Sequence, residues 1–366
     1  MGNSRWRLET SLNYVAANVR ALRRDGAVEV IVADWGSEVP LRDVLRLSLE
    51  AAAMVSFVHV PPPIARELQK DSPFPEVLGV NAAARRARGE YIGRIDQDTL
   101  VGARFLEAFD RLYTGEGSLP VPLDSALLFS RRRDIPFQFA VRTPSMWAVT
   151  QLIRNFGPFL RVERQRDLPW YTGSVGVWLL HRNLWDECGG YDERMIYANR
   201  QEVNMIERLR MKYELVNLGE LVGHAFYHLE HYPPRGERAS SVYRKVNPWA
   251  RFASPEVMNP NGIDWGLNRY SLDVLPAPET RESVAGPDDS LRSRINEFAR
   301  LVAITGTTSA WYGFVKPLDI HRWKSAPAVV LKRRVETARQ TVSGRPLIEW
   351  PSLLRGRWKE RASRRR

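Results

Sequence analysis

Cysteine is almost missing from this chain. Cys188 stands alone among 366 residues, which excludes an internal disulfide framework and fits a reducing compartment such as the cytoplasm. Long apolar runs are missing too. No stretch approaches the roughly 20 residues that a bilayer-spanning helix needs. Met1-Gly2-Asn3-Ser4-Arg5-Trp6 lacks the apolar core of a secretion signal, and without Ser or Thr at position six it does not fit the myristoylation pattern. There is no internal repeat. A Gly-rich phosphate loop with a basic residue near the first strand is also absent, which argues against a nucleotidyltransferase.

Acidic residues are scarce in one region only. Residues 321–366 hold 14 Lys or Arg against 3 Glu, a net of +11 out of the chain's +12. The body is therefore nearly neutral and the basicity belongs to a tail. Such a tail suits an anionic partner, of which a membrane surface is the first candidate, or is simply solvated. It carries no aromatic stacking platform on a defined fold, so a nucleic-acid partner is not expected. The expected location is cytoplasmic, peripheral to the membrane if the tail binds lipid.

What is present is ordinary for a globular protein, at 44% hydrophobic and 26% charged residues. The pattern alternates. Leu8, Leu12, Val15, Ala16, Val19 and Leu22 recur at helical spacing. Residues 27–33 form a β-branched run and predict a buried strand that ends at Asp34-Trp35-Gly36-Ser37. Residues 41–53 read as one helix, 54–60 as a strand stopped by three prolines, and the segment from about Val80 as a helix with Gly89 as its C-cap. Tyr91-Ile92-Gly93-Arg94-Ile95 predicts a short strand ending in Asp96-Gln97-Asp98. Residues 99–113 read as a helix, and 127–130 and 175–180 as strands. Residues 137–171 are rich in aromatics, either local core or a flap over a substrate. A helix is predicted over 200–211, a strand over 214–218, and then a segment bearing His224, His228 and His231. Further helices are predicted over 291–304 and, as a basic amphipathic element, over 326–342.

Alternating helices and strands imply a mostly parallel α/β sheet. In such sheets ligands sit outside the carboxyl ends of the strands. Two carboxylates delivered there, at Asp96 and Asp98, suit a hard divalent cation. The bland alternative is that they cap the next helix. Each histidine of the later group is by itself more simply a structural residue, though imidazole beside carboxylates suits a manganese-type site.

Five segments in order resemble the GT-A glycosyltransferases of the family-2 type. They are the helix at Arg5-Trp6-Arg7-Leu8-Glu9, the strand and turn over residues 29–37, and the run from Asn81 to Asp98. The last two are Gly189-Gly190-Tyr191-Asp192-Glu193 and the helix from Arg200 to Leu209. The resemblance spans roughly residues 5–234. It implies a GT-A type mixed, mostly parallel sheet flanked by helices, over a catalytic domain at 1–240. An irregular and helical extension at 241–320 and the basic tail at 321–366 follow. It implies transfer of a sugar from a nucleotide-sugar donor to the hydroxyl of a glycan or lipid-linked acceptor, inverting, with Mn²⁺ or Mg²⁺, in surface glycan synthesis. By the same resemblance Asp34, Trp35, Arg85, Asp96 and Gln97 bind the donor, Asp98, Asp96 and His228 hold the metal, and Glu202 is the general base. Arg85 has a simpler reading as a solvated helix charge. The family's sheet begins with a strand ahead of the first helix. This sequence opens on the helix, leaving that position to another segment or to sequence upstream. The departures at Gln201 and Asn204, where the family has acidic residues, keep a second reading open: a glycosyltransferase-like scaffold without activity.

Overall fold

The first helix, α1 (Arg5–Ala21), lays one face on the protein and buries Leu12, Val15, Ala16 and Val19. After it come β1 (Val30–Trp35), α2 (Leu41–Val44), α3 (Leu49–Met54) and β2 (Val55–Val60). Next are α4 (Pro62–Gln69), α5 (Glu76–Arg86), β3 (Tyr91–Ile95), β4 (Thr99–Val101) and α6 (Ala103–Tyr113). The chain continues through β5 (Ala126–Ile135), α7 (Phe137–Ala140), α8 (Met146–Phe156), β6 (Arg161–Val162) and β7 (Val175–His181). It closes with α9 (Arg182–Cys188), α10 (Gln201–Leu209), β8 (Glu214–Asn217), α11 (Leu218–Val222), β9 (Phe226–Leu229), β10 (Val274–Pro276) and α12 (Leu291–Gly306). This is a computed structural model, and it describes residues 5–157, 160–162, 175–197, 201–223, 226–231, 247, 257–278 and 290–306. His224, Phe159, Trp170, Tyr171, the helix expected over 326–342 and the basic tail lie outside the described residues.

The fold is mixed α/β. One sheet runs β1-β2-β10, the other β3-β7-β5-β9-β4, with β6 and β8 also paired to β5. β1–β2, β5–β8 and β5–β9 are parallel, whereas the other five described pairings are antiparallel. The parallel predominance expected from alternation is therefore not what the described strands show. The reason is local: β7 inserts between β3 and β5 and runs against both, and β9 runs against β4. Among the described residues β1 pairs only with β2, and β3 only with β7, so each keeps an open edge. This explains why Val30, Ile31, Val32 and Ala33 are half-buried despite an apolar run that predicts full burial.

Several boundaries differ from expectation for identifiable reasons. Residues 41–53 make two short helices, because the Asn13 side chain inserts between them. Its amide donates to the Arg46 carbonyl at 3.1 Å and its oxygen accepts the Ser48 N–H at 2.7 Å. Ser48 then caps α3. Pro62 opens α4, where a loop was expected, because the first helical position tolerates proline. α5 ends at Arg86 with Ala87 as its C-cap rather than Gly89, whose N–H goes to the Glu29 carboxylate at 3.0 Å. Thr99–Val101 is a strand and not the start of a helix: two β-branched residues pair with β9, and α6 begins only past Gly102. β5 extends five residues beyond the expected strand, through Arg131, Arg132 and Arg133.

The main core gathers Ile92, Leu127, Leu180, Trp185, Met205 and Leu209 between the second sheet and helices α5, α9 and α10. Trp265 belongs to the same cluster and Leu267 to a neighbouring one. β10 adds to β2, and α12 packs on α7 and α8, where Phe298 meets Trp147 edge-on. The described parts of the expected 241–320 extension are thus packed into the α/β body. Phe139 is fully buried, which favours local core for that aromatic.

Candidate metal and acid-base site

β9 is the strand that assembles the site. It lies between β4 and β5, so His228 stands opposite Thr99 on one side and Asp134 on the other. Asp98 immediately precedes β4, and its carbonyl accepts the Leu229 N–H at 2.9 Å. The carboxylate of Asp98 is thereby brought to two imidazoles. His228 Nε2 lies 3.5 Å and His231 Nε2 3.2 Å from its Oδ2. Asp134 Oδ1 sits 3.1 Å from His228 Nδ1. This carboxylate behind the ring fixes the imidazole so that Nε2 faces Asp98, the arrangement that metal-binding histidines use. Asp98 and His228 are both buried. Burial disfavours the charged form of Asp98, but His228, His231 and Arg132 outweigh it and hold its carboxyl well below the usual carboxylate range. For His228, burial and Arg132 disfavour the cation, yet Asp98 and Asp134 lift it to about 10.

Asp98, His228 and His231 each offer one ligand atom within 4.8 Å of the others. Buried Asp98 Oδ1 has no hydrogen-bond partner, and His228 Nε2 has only its 3.5 Å contact with Asp98 Oδ2. An unpaired buried carboxylate oxygen calls for an explanation, and two imidazole nitrogens with one carboxylate fit a first-row divalent cation such as Mn²⁺ better than Mg²⁺.

Asp96, the first acidic residue of the pair, faces elsewhere. Arg94 Nη2 is 2.5 Å from its Oδ1, and Arg132 Nη1 is 2.8 Å from its Oδ2. Arg94 is a buried hub: it also pairs with Glu76, in the first turn of α5, and with Glu202 Oε1 at 3.1 Å, in the first turn of α10. Burial disfavours its charge, but Asp96, Glu76 and Glu202 hold its pKa well above normal. Burial drives the Glu76 carboxyl up to about 7; Arg94 opposes this, and Glu202 and Asp96 add to it. The structure thus brings together Asp96, Asp98, Glu202 and His228, with Asp96 bound to arginines rather than grouped with the metal-capable donors. The metal-capable group contains His231 beside Asp98 and His228, and Asp96 is not among its members.

Of the remaining expected donor-binding residues, Asp34, Trp35 and Arg85 make their contacts outside this network, whereas Gln97 lies between Asp96 and Asp98. Asp34 is buried; its Oδ2 accepts the Leu41 N–H at 2.8 Å and contacts His59 Nδ1 at 3.0 Å. Trp35 Nε1 donates to Gln69 Oε1 at 3.0 Å. Arg85 stacks 5.0 Å over the Trp265 ring, so it is not merely solvated. Gln97 is exposed in the turn between β3 and β4. Among the described residues no hydrogen bond or ion pair joins Asp34, Trp35 or Arg85 to the network.

Glu76, Arg94, Arg132 and Asp134 were not anticipated as site residues. Arg94 did carry a signal, since a charge inside an otherwise apolar strand must find partners; Arg132 stands in a charged run past the expected strand and carried none. Glu76 and Asp134 had no local signal, because only the sheet register and the packing of α5 bring them in. No protein-family model matches the chain, and no curated protein matches it.

Proposed function

We propose that this chain is a metal-dependent glycosyltransferase of the GT-A type, moving a sugar from a nucleotide-sugar to an acceptor hydroxyl with inversion. The observation that carries this reading is the cluster Asp98–His228–His231 at the end of the Asp-x-Asp strand, with Glu202 tied to the same strand through Arg94. A divalent cation held by the three donors would offset the charge of the leaving diphosphate.

The chain's own residues divide the remaining work. Asp134 orients His228, and Arg132 holds Asp96 clear of the three donors. Glu202 is a half-buried carboxylate fixed at one oxygen by Arg94, leaving the other to accept the proton of an attacking hydroxyl. The acceptor is a glycan or lipid-linked hydroxyl, and the tail at 321–366 holds the protein at an anionic surface. No helix among the described residues is long and apolar enough to cross a membrane.

The test is a panel of UDP-, GDP- and dTDP-sugars with Mn²⁺, read by nucleoside diphosphate release and by thermal stabilisation. One donor is expected to respond. Asp98→Ala should abolish both readouts, and Glu202→Gln should keep stabilisation while release falls by about 100-fold or more. No response to any donor would favour the second reading, an inactive scaffold. That reading has its own supporting observation: Arg94 and Arg132 already satisfy Asp96, and Arg94 engages Glu202.

A further inference from the structure

Arg7 lies in the first turns of α1 and is 9% exposed. Its position follows from the helix. Ser11 Oγ, one turn later on the same face, donates to the Thr99 carbonyl at 2.6 Å. That seats this face of α1 on the chain directly after Asp98. Asp98 and Glu230 are the carboxylates whose charge Arg7 feels most. Yet the guanidinium makes no hydrogen bond or ion pair with any described residue. Its Nε is buried and unpartnered, and its Cζ lies 4.8 Å from the centre of the Trp6 ring. A buried Nε–H without an acceptor is costly, and five donors fixed in a plane suit the oxygens of a phosphate. On the segment that this face of α1 covers, Asp98 Oδ1 is likewise buried and unpartnered. A guanidinium with an unpaired Nε on the same side as an unpaired oxygen of a metal-capable cluster suits one ligand, a phosphate group chelated to a divalent cation.

We infer that Arg7 is a phosphate-binding residue of this site, receiving the oxygens of a diphosphate that shares its cation with Asp98, His228 and His231. The inference rests on the metal-dependent reading above and adds the residue that takes the leaving group. A cation at Asp98 draws off that carboxylate's pull on Arg7, and the incoming phosphate supplies the hydrogen-bond acceptors that Arg7 lacks. Held there, the guanidinium opposes the negative charge that builds on the departing diphosphate.

The test uses the full chain and two probes, Mn²⁺ alone and inorganic pyrophosphate with and without Mn²⁺, in isothermal titration. Arg7→Gln is expected to leave the affinity for Mn²⁺ alone within about twofold and to weaken pyrophosphate by about 10- to 100-fold, the range of a charge-assisted hydrogen bond. Arg7→Lys, which keeps the charge but loses the planar fork, should fall between. It carries the test if melting curves show that the Gln variant does not fold. Pyrophosphate binding equally to wild type and variants, or not binding wild type at all, would overturn the inference and leave Arg7 as a stacking partner of Trp6. Failure of Mn²⁺ to bind would count against the metal reading instead. Arg7-dependent pyrophosphate binding without metal would still uphold the role of Arg7.

Discussion

At the scale of single residues, Arg94 decides what the acidic groups can do. One guanidinium meets Glu76, Asp96 and Glu202, so three carboxylates share less positive charge than they need. The strain falls on Glu76, whose carboxyl burial drives up to about 7. A folded-state pKa raised above the ordinary value makes the group's contribution greatest at low pH. Below about 4.5 Glu76 is protonated folded or unfolded, and between that pH and about 7 the unfolded chain releases the proton first. Stability should therefore be lost through that window, by about 3 kcal/mol at most. Glu76→Gln should remove this part of the slope, as urea melts of both proteins at pH 4.5 and 7.5 would reveal; parallel pH profiles would contradict it. The sequence told part of this residue-level picture. Asp96 and Asp98 stood out because Asp-x-Asp at a strand end carries meaning locally, whereas Glu202 was singled out through the resemblance to a family, and His228 and His231 through their grouping with His224. Glu76 and Asp134 come from 94 or more positions away from the Glu202 and His228 partners they influence, or through a third residue, and no local pattern announces them.

At the scale of elements, strands were easier to read than the turns between them. Residues 55–60, 91–95 and 175–181 announce themselves by composition alone. The split of α2 from α3 depends on Asn13 of another helix, and the strand at Thr99–Val101 depends on β9, so neither was accessible from its own residues. The Gly189-Gly190 corner between α9 and α10 illustrates a motif whose meaning is mechanical. Both glycines have positive φ, and the Asn81 amide presses against Gly190 while binding the Tyr191 N–H and carbonyl. Buried Arg208 reaches back from α10 to the carbonyls of Cys188 and Gly190, each at 2.7 Å. Gly190→Ala adds a Cβ that collides with Asn81 in a left-handed backbone, and should destabilise by about 2 kcal/mol or more. Chemical denaturation measures this. A change within about 0.5 kcal/mol would mean that the corner can shift without cost.

At the scale of the whole molecule, the α/β class was legible from alternation, and the balance of parallel to antiparallel pairing was not. Strand direction is set by which distant strand inserts beside which, here β7 between β3 and β5. The same insertion lines up β3, β5 and β9, so that one region receives Asp98, Asp134 and His228 from three separate strands or strand ends. The proposed activity requires that this convergence hold a cation. Crystals soaked with Mn²⁺ and measured at the manganese absorption edge test it most directly. An anomalous peak bonded to Asp98, His228 and His231 is expected, absent in Asp98→Ala. No peak there in the wild-type protein, or a peak bonded to Asp96 in place of the histidines, would contradict it.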